Sequence, residues 1–261
     1  MLDQVPILRN LTKKTVALLW IAGILTPPGT FVRARDLSTI VIGYGEWPPF
    51  ESDSLPDHGP VPGLVREALA SGGTQVEFRS LPWWRMLHEV EVGNLDGALI
   101  WRDVGNRRAT FLFSDPLFTS RITLFYRKNE VHPWKKLEDL SSLRIGATAS
   151  YRYCAEFDRL DEQRRLRVER AAADDLNFAK LEAGRIDAVI VDSEYGRWRL
   201  AQMGDADKIA EDTHPVCTAP MYLVISRAVP YGPALTERFN AGLRQMKADG
   251  RYDQLFEGID Q

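Results

Sequence analysis

The sequence predicts an α/β protein built as two similar, doubly wound lobes joined by two crossings. Three observations lead there. One phrase occurs twice, VGNLDGALI at residues 92–100 and AGRIDAVIV at 183–191. Each copy has a glycine suited to a helix C-cap, then an aspartate, then an apolar run suited to a buried strand. Around each copy, short apolar runs alternate with helical patterns in the order of a parallel, doubly wound sheet. A further apolar run at 221–225 follows the second unit, so the chain leaves one lobe and later returns to it.

The elements follow in order. Residues 39–43 predict a strand. Residues 62–71 predict a helix with Leu64, Val65, Ala68 and Leu69 on one face. Residues 76–78 alternate as a strand, 82–90 form a helix with Pro82 near its first turn, and 95–100 form a buried strand. A polar turn covers 102–108. In the second lobe, 122–126 is a strand leaving the first lobe, 143–146 a strand, 151–160 a helix, 166–169 a strand and 174–183 a helix with an N-cap candidate at 173–175. Residues 186–191 are a buried strand and 193–203 a helix. Strand 221–225 returns to the first lobe, helix 234–248 is amphipathic and stops at Asp249-Gly250, and a short helix covers 252–256. The expected organisation is 1–34 leader, 35–117 first lobe, 118–220 second lobe, and 221–261 first lobe again, with crossings near 116–120 and 218–221.

The leader is read from three features. Arg9, Lys13 and Lys14 precede an apolar run at 16–25, and Pro27, Pro28 and Gly29 precede Val32 to Ala34. This is the layout of a secretory signal peptide cut after Ala34, and the run is too short to span a bilayer. No cysteine follows it closely, so no lipid anchor is expected. Export to the periplasm is the expected localisation. Removing 1–34 leaves 29 Lys+Arg against 35 Asp+Glu, a net charge of −6. That mild acidity, without a basic stripe, excludes a nucleic-acid partner. The four histidines, His58, His88, His132 and His214, lack ligand spacing with each other or with Cys154 and Cys217, so neither a metal nor a cofactor is expected. An oxidising compartment permits a Cys154–Cys217 disulfide, and the sequence leaves that pairing open.

Four stretches then carry a resemblance. They are GYGEWPPFE at 43–51, NRR at 106–108 with FSDPL at 113–117, GRIDAVIVD at 184–192, and FNAGL at 239–243 with ADGRY at 248–252. In this order and spacing the chain resembles the type II periplasmic solute-binding proteins of the group serving polar amino acid ABC transporters. The resemblance covers nearly all of the chain after the leader. It implies the type II periplasmic binding fold, with a cleft between the lobes.

The resemblance also implies site residues. Arg107 matches the arginine that clamps a ligand α-carboxylate, a role suited to a guanidinium fork; the alternative is a surface arginine. Asp192 matches the aspartate that holds an α-ammonium group, and it equally suits an N-cap. Trp47 matches an aromatic wall, with core packing as the alternative; Tyr44 and Glu46 flank it as further candidates, and Phe50 reads as core. Trp83 or Trp84 reads as cleft rim or as sheet packing. Trp101 and Arg102 depart from the pattern, since amino acid binders carry Ser or Thr there, and a second cation suits a dicarboxylate or another anion. Ser150 and Tyr151 stand where relatives use a turn whose amides receive a carboxylate at a helix N-terminus.

The expected function is capture of a small polar solute, an amino acid or related carboxylate, for a permease in the inner membrane. No catalytic residue is assigned, and a monomer is expected. The alternatives are an exported dehydratase of the prephenate type on the same fold, for which Glu46 and Glu194 are the only acids to nominate, or a sensory binding protein. Solvated surface is the plainer reading of both acids.

Overall fold

The two copies of the repeated phrase fold alike, and their aspartates show why the phrase recurs. Gly93 and Gly184 take φ of 79° and 68°, where a side chain would be strained, and end the preceding helices. Asp96 then accepts the Val41 backbone N–H at 2.7 Å, and its own N–H donates to the Val41 carbonyl at 2.9 Å. Asp187 does the same with Arg144, at 2.7 Å and 2.8 Å. Each aspartate pins the third strand of its lobe beside the first. These details come from a computed structural model that describes residues 37–130, 132–149 and 151–259; the expected leader lies outside the described residues.

The first lobe runs β1 (Thr39–Tyr44), α1 (Pro60–Ala70), β2 (Gln75–Ser80), α2 (Trp83–Glu91) and β3 (Gly97–Trp101). Strands β2 and β3 lie parallel to β1 on either side. A single helical turn, α3 (Arg107–Thr110), and a short strand, β4 (Phe111–Phe113), occupy the region expected as a polar turn and just beyond. The chain crosses on β5 (Phe118–Arg127). The second lobe then runs β6 (Arg144–Thr148), α4 (Ala155–Glu162), β7 (Arg167–Ala171), α5 (Asp174–Glu182), β8 (Ala188–Asp192) and α6 (Ser193–Met203). Strands β7 and β8 flank β6 in parallel, as in the first lobe. An edge strand, β9 (Ile209–Glu211), precedes the return on β10 (Cys217–Ser226), and α7 (Gly232–Asp249) and α8 (Arg251–Phe256) finish the described chain.

The strand order is β2-β1-β3-β10-β5-β8-β6-β7. Read inward from either end, each lobe has the order second, first, third, then one antiparallel strand. The crossings are continuous strands rather than loops. Residues 217–221 of β10 pair with 118–122 of β5, and residues 222–225 go on to pair with β3. This extends both crossing strands beyond the apolar runs that mark them in the sequence, through polar or small residues such as Thr119, Ser120, Thr218 and Ala219.

Helices cover both faces of each sheet. Ile40, Ile42, Leu99 and Leu223 face α1 and α7, while Val41, Leu95, Ala98 and Val224 face Met86 and Val90 of α2. In the second lobe Leu124, Ile145 and Ile190 pack on Phe157 and Leu160 of α4, and Phe125, Val189 and Val191 pack on Phe178, Leu181 and Leu200. Helices α1 and α7 are in backbone contact: a Cβ at Gly242 would lie 2.0 Å from the Ala68 carbonyl oxygen.

One helix begins later than expected. Helix α4 opens at Ala155, not Tyr151, because Cys154 is held extended at φ −145°. Cys154 and Cys217 form a disulfide with Cα atoms 6.4 Å apart, which ties the turn before α4 to the start of β10. The cap of α5 also differs: Ala173 holds the N-cap position without a side-chain bond, and Asp174 instead accepts the Thr148 hydroxyl.

Candidate functional site

The end of β3 is irregular, and the irregularity aims two residues. Trp101 pairs with Tyr222 and Ala98 with Val224, so Leu99 and Ile100 together oppose Leu223 alone. Such a bulge re-aims the side chains that follow it. Ile100 takes φ of 57°, in the left-handed region that a β-branched residue avoids. Strain of this kind costs about 1–3 kcal/mol and concentrates at functional sites.

Beyond the bulge, Trp101 turns into the core, 9% exposed, with its ring edge-on to Trp83 at 5.4 Å. Arg102 reaches the second lobe. Its Nη1 donates to the Arg152 carbonyl at 2.8 Å and to the Tyr153 carbonyl, its Nη2 donates to the Tyr151 hydroxyl at 3.3 Å, and its guanidinium lies 5.3 Å over the Tyr151 ring. Arg107 opens α3. Its guanidinium lies 5.1 Å over the Trp101 indole and donates to the Arg102 carbonyl at 2.9 Å. Burial pulls the Arg107 pKa down, and the like charge of Arg102 adds to the effect.

The second lobe answers with the end of β8. Asp192 is 2% exposed and is the N-cap of α6: one oxygen accepts the Tyr195 N–H at 3.0 Å and the other accepts the Ser120 hydroxyl. Burial, and next the charge of Glu194, raise its pKa to about 7, and the Arg102 charge is near enough to oppose them. Glu194 is buried rather than solvated. It accepts Arg121 at 3.0 Å and Arg197 at 3.4 Å, and its second oxygen has no partner among the described residues.

The turn expected to offer amides offers carbonyls instead. The amides of Thr148, Ala149 and Tyr151 donate to the Tyr153 hydroxyl, the Ala171 carbonyl and the Thr148 carbonyl. The carbonyls of Arg152 and Tyr153 hold Arg102, and those of Thr148 and Tyr151 hold Arg170. The displaced start of α4 is the cause, since no free first turn stands at Tyr151. Ser150 lies outside the described residues.

Arg102, Tyr151 and Asp192 are therefore gathered where the lobes meet, with Arg107 beside Arg102 on the face of the buried Trp101 ring. Tyr44, Glu46 and Trp47 make a different set of contacts. Tyr44 is core, its hydroxyl bonded to Asp53 and, at 2.9 Å, to His58 Nδ1. Glu46 is exposed and accepts the Asp53 N–H at 2.9 Å. Trp47 is half-buried on Phe50 at 5.2 Å and on Phe118, the first residue of β5, at 6.4 Å. Trp83 packs inward under Gly45, and Trp84 is 82% exposed. Sequence reading missed Ser120, which binds Asp192, and Glu51, which is fully buried and accepts the Gly45 N–H at 2.9 Å. Its burial raises its pKa well above the carboxylate range. Only its place after the Pro-Pro-Phe turn marks Glu51 in the sequence. Two surface hollows, about 340 and 290 Å³, lie beside α7 and α1 and hold none of the gathered residues. The charge and aromatic surface between the lobes make that region the candidate site.

Comparison with solved structures supports the architecture. An ancestral arginine-binding protein bound to arginine is 21% identical, with a TM-score of 0.65 over 84% of this chain and 97% of that one. The GluR0 ligand-binding core from Nostoc punctiforme, in complex with L-glutamate, is 18% identical, with a TM-score of 0.65 and coverage of 84% and 97%. The ancestral amino acid-binding protein AncCDT-1, described as a precursor of cyclohexadienyl dehydratase, is 21% identical, with a TM-score of 0.66 and coverage of 86% and 96%. At these identities the likeness shows the fold, that of type II periplasmic binding proteins. No curated protein sequence matches the chain significantly. A family profile, however, matches residues 40–258, almost the whole described chain, and by it the chain belongs to the bacterial extracellular solute-binding proteins, family 3.

Proposed function

We propose that the protein captures a small carboxylate solute, an amino acid or a related acid, between its lobes in the periplasm and presents it to an ABC transporter permease. The observation that carries this reading is the meeting of Arg102 and Arg107 from the first lobe with Tyr151 and Asp192 from the second. A guanidinium pair beside an aromatic ring suits a carboxylate shielded from water. The relatives of like fold bound to arginine and L-glutamate, and a further one described as the substrate binding protein of an amino acid ABC transporter, favour an acid of that size. The lobes hinge on the β5–β10 ladder, with boundaries near 117 and 220, and solute favours closure through contacts to both lobes. The protein works as a monomer without a cofactor.

A binder fits the carboxylates better than a catalyst does. Acid–base chemistry needs a carboxyl within reach of the substrate. Glu46 is turned to the Asp53 backbone, Glu194 is engaged by two arginines, and both Asp192 oxygens are held, by the Tyr195 N–H and the Ser120 hydroxyl.

A thermal-shift panel of amino acids, dicarboxylates, polyamines and prephenate tests the reading. A solute at a hundred times its Kd adds about 2.7 kcal/mol to stability. The expected result is a stabilising acid whose effect disappears in Arg107→Ala. Consumption of prephenate moves the assignment to an exported dehydratase, and silence across the acids discards it.

A further inference from the structure

Arg102 and Arg107 stand five residues apart in sequence, and both are half-buried. Their neighbour Arg108 pairs with Asp103. Among the described residues, neither Arg102 nor Arg107 has a carboxylate within ion-pair distance. Arg102 is instead seated on two backbone carbonyls, a phenol and a ring face. Those acceptors are neutral. They fix where the guanidinium stands without cancelling its charge. Its Nε–H and the Trp101 indole N–H are buried donors with no acceptor among the described residues. A buried donor without an acceptor is costly, so an oxygen-rich partner is favoured here. Asp192, close enough for the Arg102 charge to act on it, spends one oxygen on the Tyr195 amide and the other on the Ser120 hydroxyl. Asp103, which acts on Arg107, is paired with Arg108, and Asp174, near Tyr151, accepts the Thr148 hydroxyl; among the described residues, neither Arg102 nor Arg107 is left with a carboxylate of its own. The strained bulge at Ile100 immediately precedes Trp101 and Arg102 and sets where they stand.

We propose that the solute carries two carboxylate groups, and that Arg102 is the residue selecting it over a singly charged amino acid. This rests on the solute-binding reading above: Arg107 takes one carboxylate and Arg102 the other. An ammonium group is not needed, because Asp192 is committed to the helix cap.

The test is calorimetric titration of the protein with succinate, glutarate, adipate, glutamate and glutamine. The expected result is that one of the dicarboxylates binds at least about 30-fold more tightly than glutamine, in line with one extra charge-assisted contact. Arg102→Gln is expected to weaken that dicarboxylate on the order of 10- to 100-fold and glutamine by several-fold less. Arg102→Lys keeps the charge but not the fork, and is expected to retain most of the affinity. Equal losses in Arg102→Lys and Arg102→Gln, for glutamine and dicarboxylate alike, overturn the proposal, since Arg102 then acts as a strut between lobes. Glutamine binding as tight as any dicarboxylate also overturns it and leaves the solute-binding reading standing. Failure of all five acids to bind the unaltered protein overturns both.

Discussion

Asp187 and Asp192 lie five residues apart and are pushed in opposite directions. Hydrogen bonds from the Arg144 side chain pull the Asp187 pKa down to about 2. Burial, with the Glu194 charge behind it, raises Asp192 to about 7. The signs follow from linkage. Asp187 contributes stability above the usual carboxylate range and loses it as pH falls through about 2. Asp192 is stable when neutral, so its contribution is complete below about pH 4 and is lost as pH rises through about 7. Asparagine caps a helix as well as aspartate does and cannot ionise. Asp192→Asn is therefore expected to gain on the parent in melting temperature between pH 4 and pH 7.5. A difference between the two proteins that does not change over that range would count against the neutral, buried carboxyl.

Among the elements, α1 and α7 show how little room the fold leaves. Gly242 sits in α7 where the Ala68 carbonyl of α1 approaches, and the added methyl of Gly242→Ala would meet that oxygen at 2.0 Å. Helix propensity favours alanine by about 1 kcal/mol. Forced separation of two packed helices costs more, typically about 1–3 kcal/mol. The expected outcome is a net loss of stability in chemical denaturation, and a gain would mean that the helices can part cheaply. The sequence showed α7 as amphipathic but not this contact, because a glycine in a helix pattern carries no sign of what approaches it. Most other elements were legible in the apolar runs: both parallel three-strand units and the helix after Asp192 lie where periodicity places them. Helix α4 was not, because the feature that delays its start is a bond to Cys217, 63 residues away.

For the whole molecule, that disulfide is a covalent cross-link, beside the backbone, between the turn before α4 and the start of the returning strand. A loop of 63 residues corresponds to about 4 kcal/mol in the chain-entropy description. Replacing both cysteines by serine is expected to lower stability by up to that amount in urea unfolding, and an unchanged midpoint would show that the turn holds itself. The two-lobed plan was readable because the repeated phrase carries its own mechanism in Asp96 and Asp187. The candidate site was readable only in part. Arg107 and Asp192 stand out by position, and the gathering of Trp101, Arg102 and Tyr151 with them follows their order in the chain. The seat of Arg102 on carbonyls, the burial of Glu194 by Arg121 and Arg197, and the role of Ser120 depend on partners 50 or more residues apart, or on a neighbour whose charge sequence cannot orient.

Strand β10 has a consequence for the order of synthesis. It completes the first lobe beside β3 and the second beside β5, yet it is made after both. Residues 37–130 leave the ribosome with their sheet one strand short, and so does the second unit behind them. Neither half can close until residue 226 has emerged and α7 can dock. Contacts that wait for so distant a segment form slowly. The chain is thus kept open for almost the whole of its synthesis, exposed until its last strand and helix arrive.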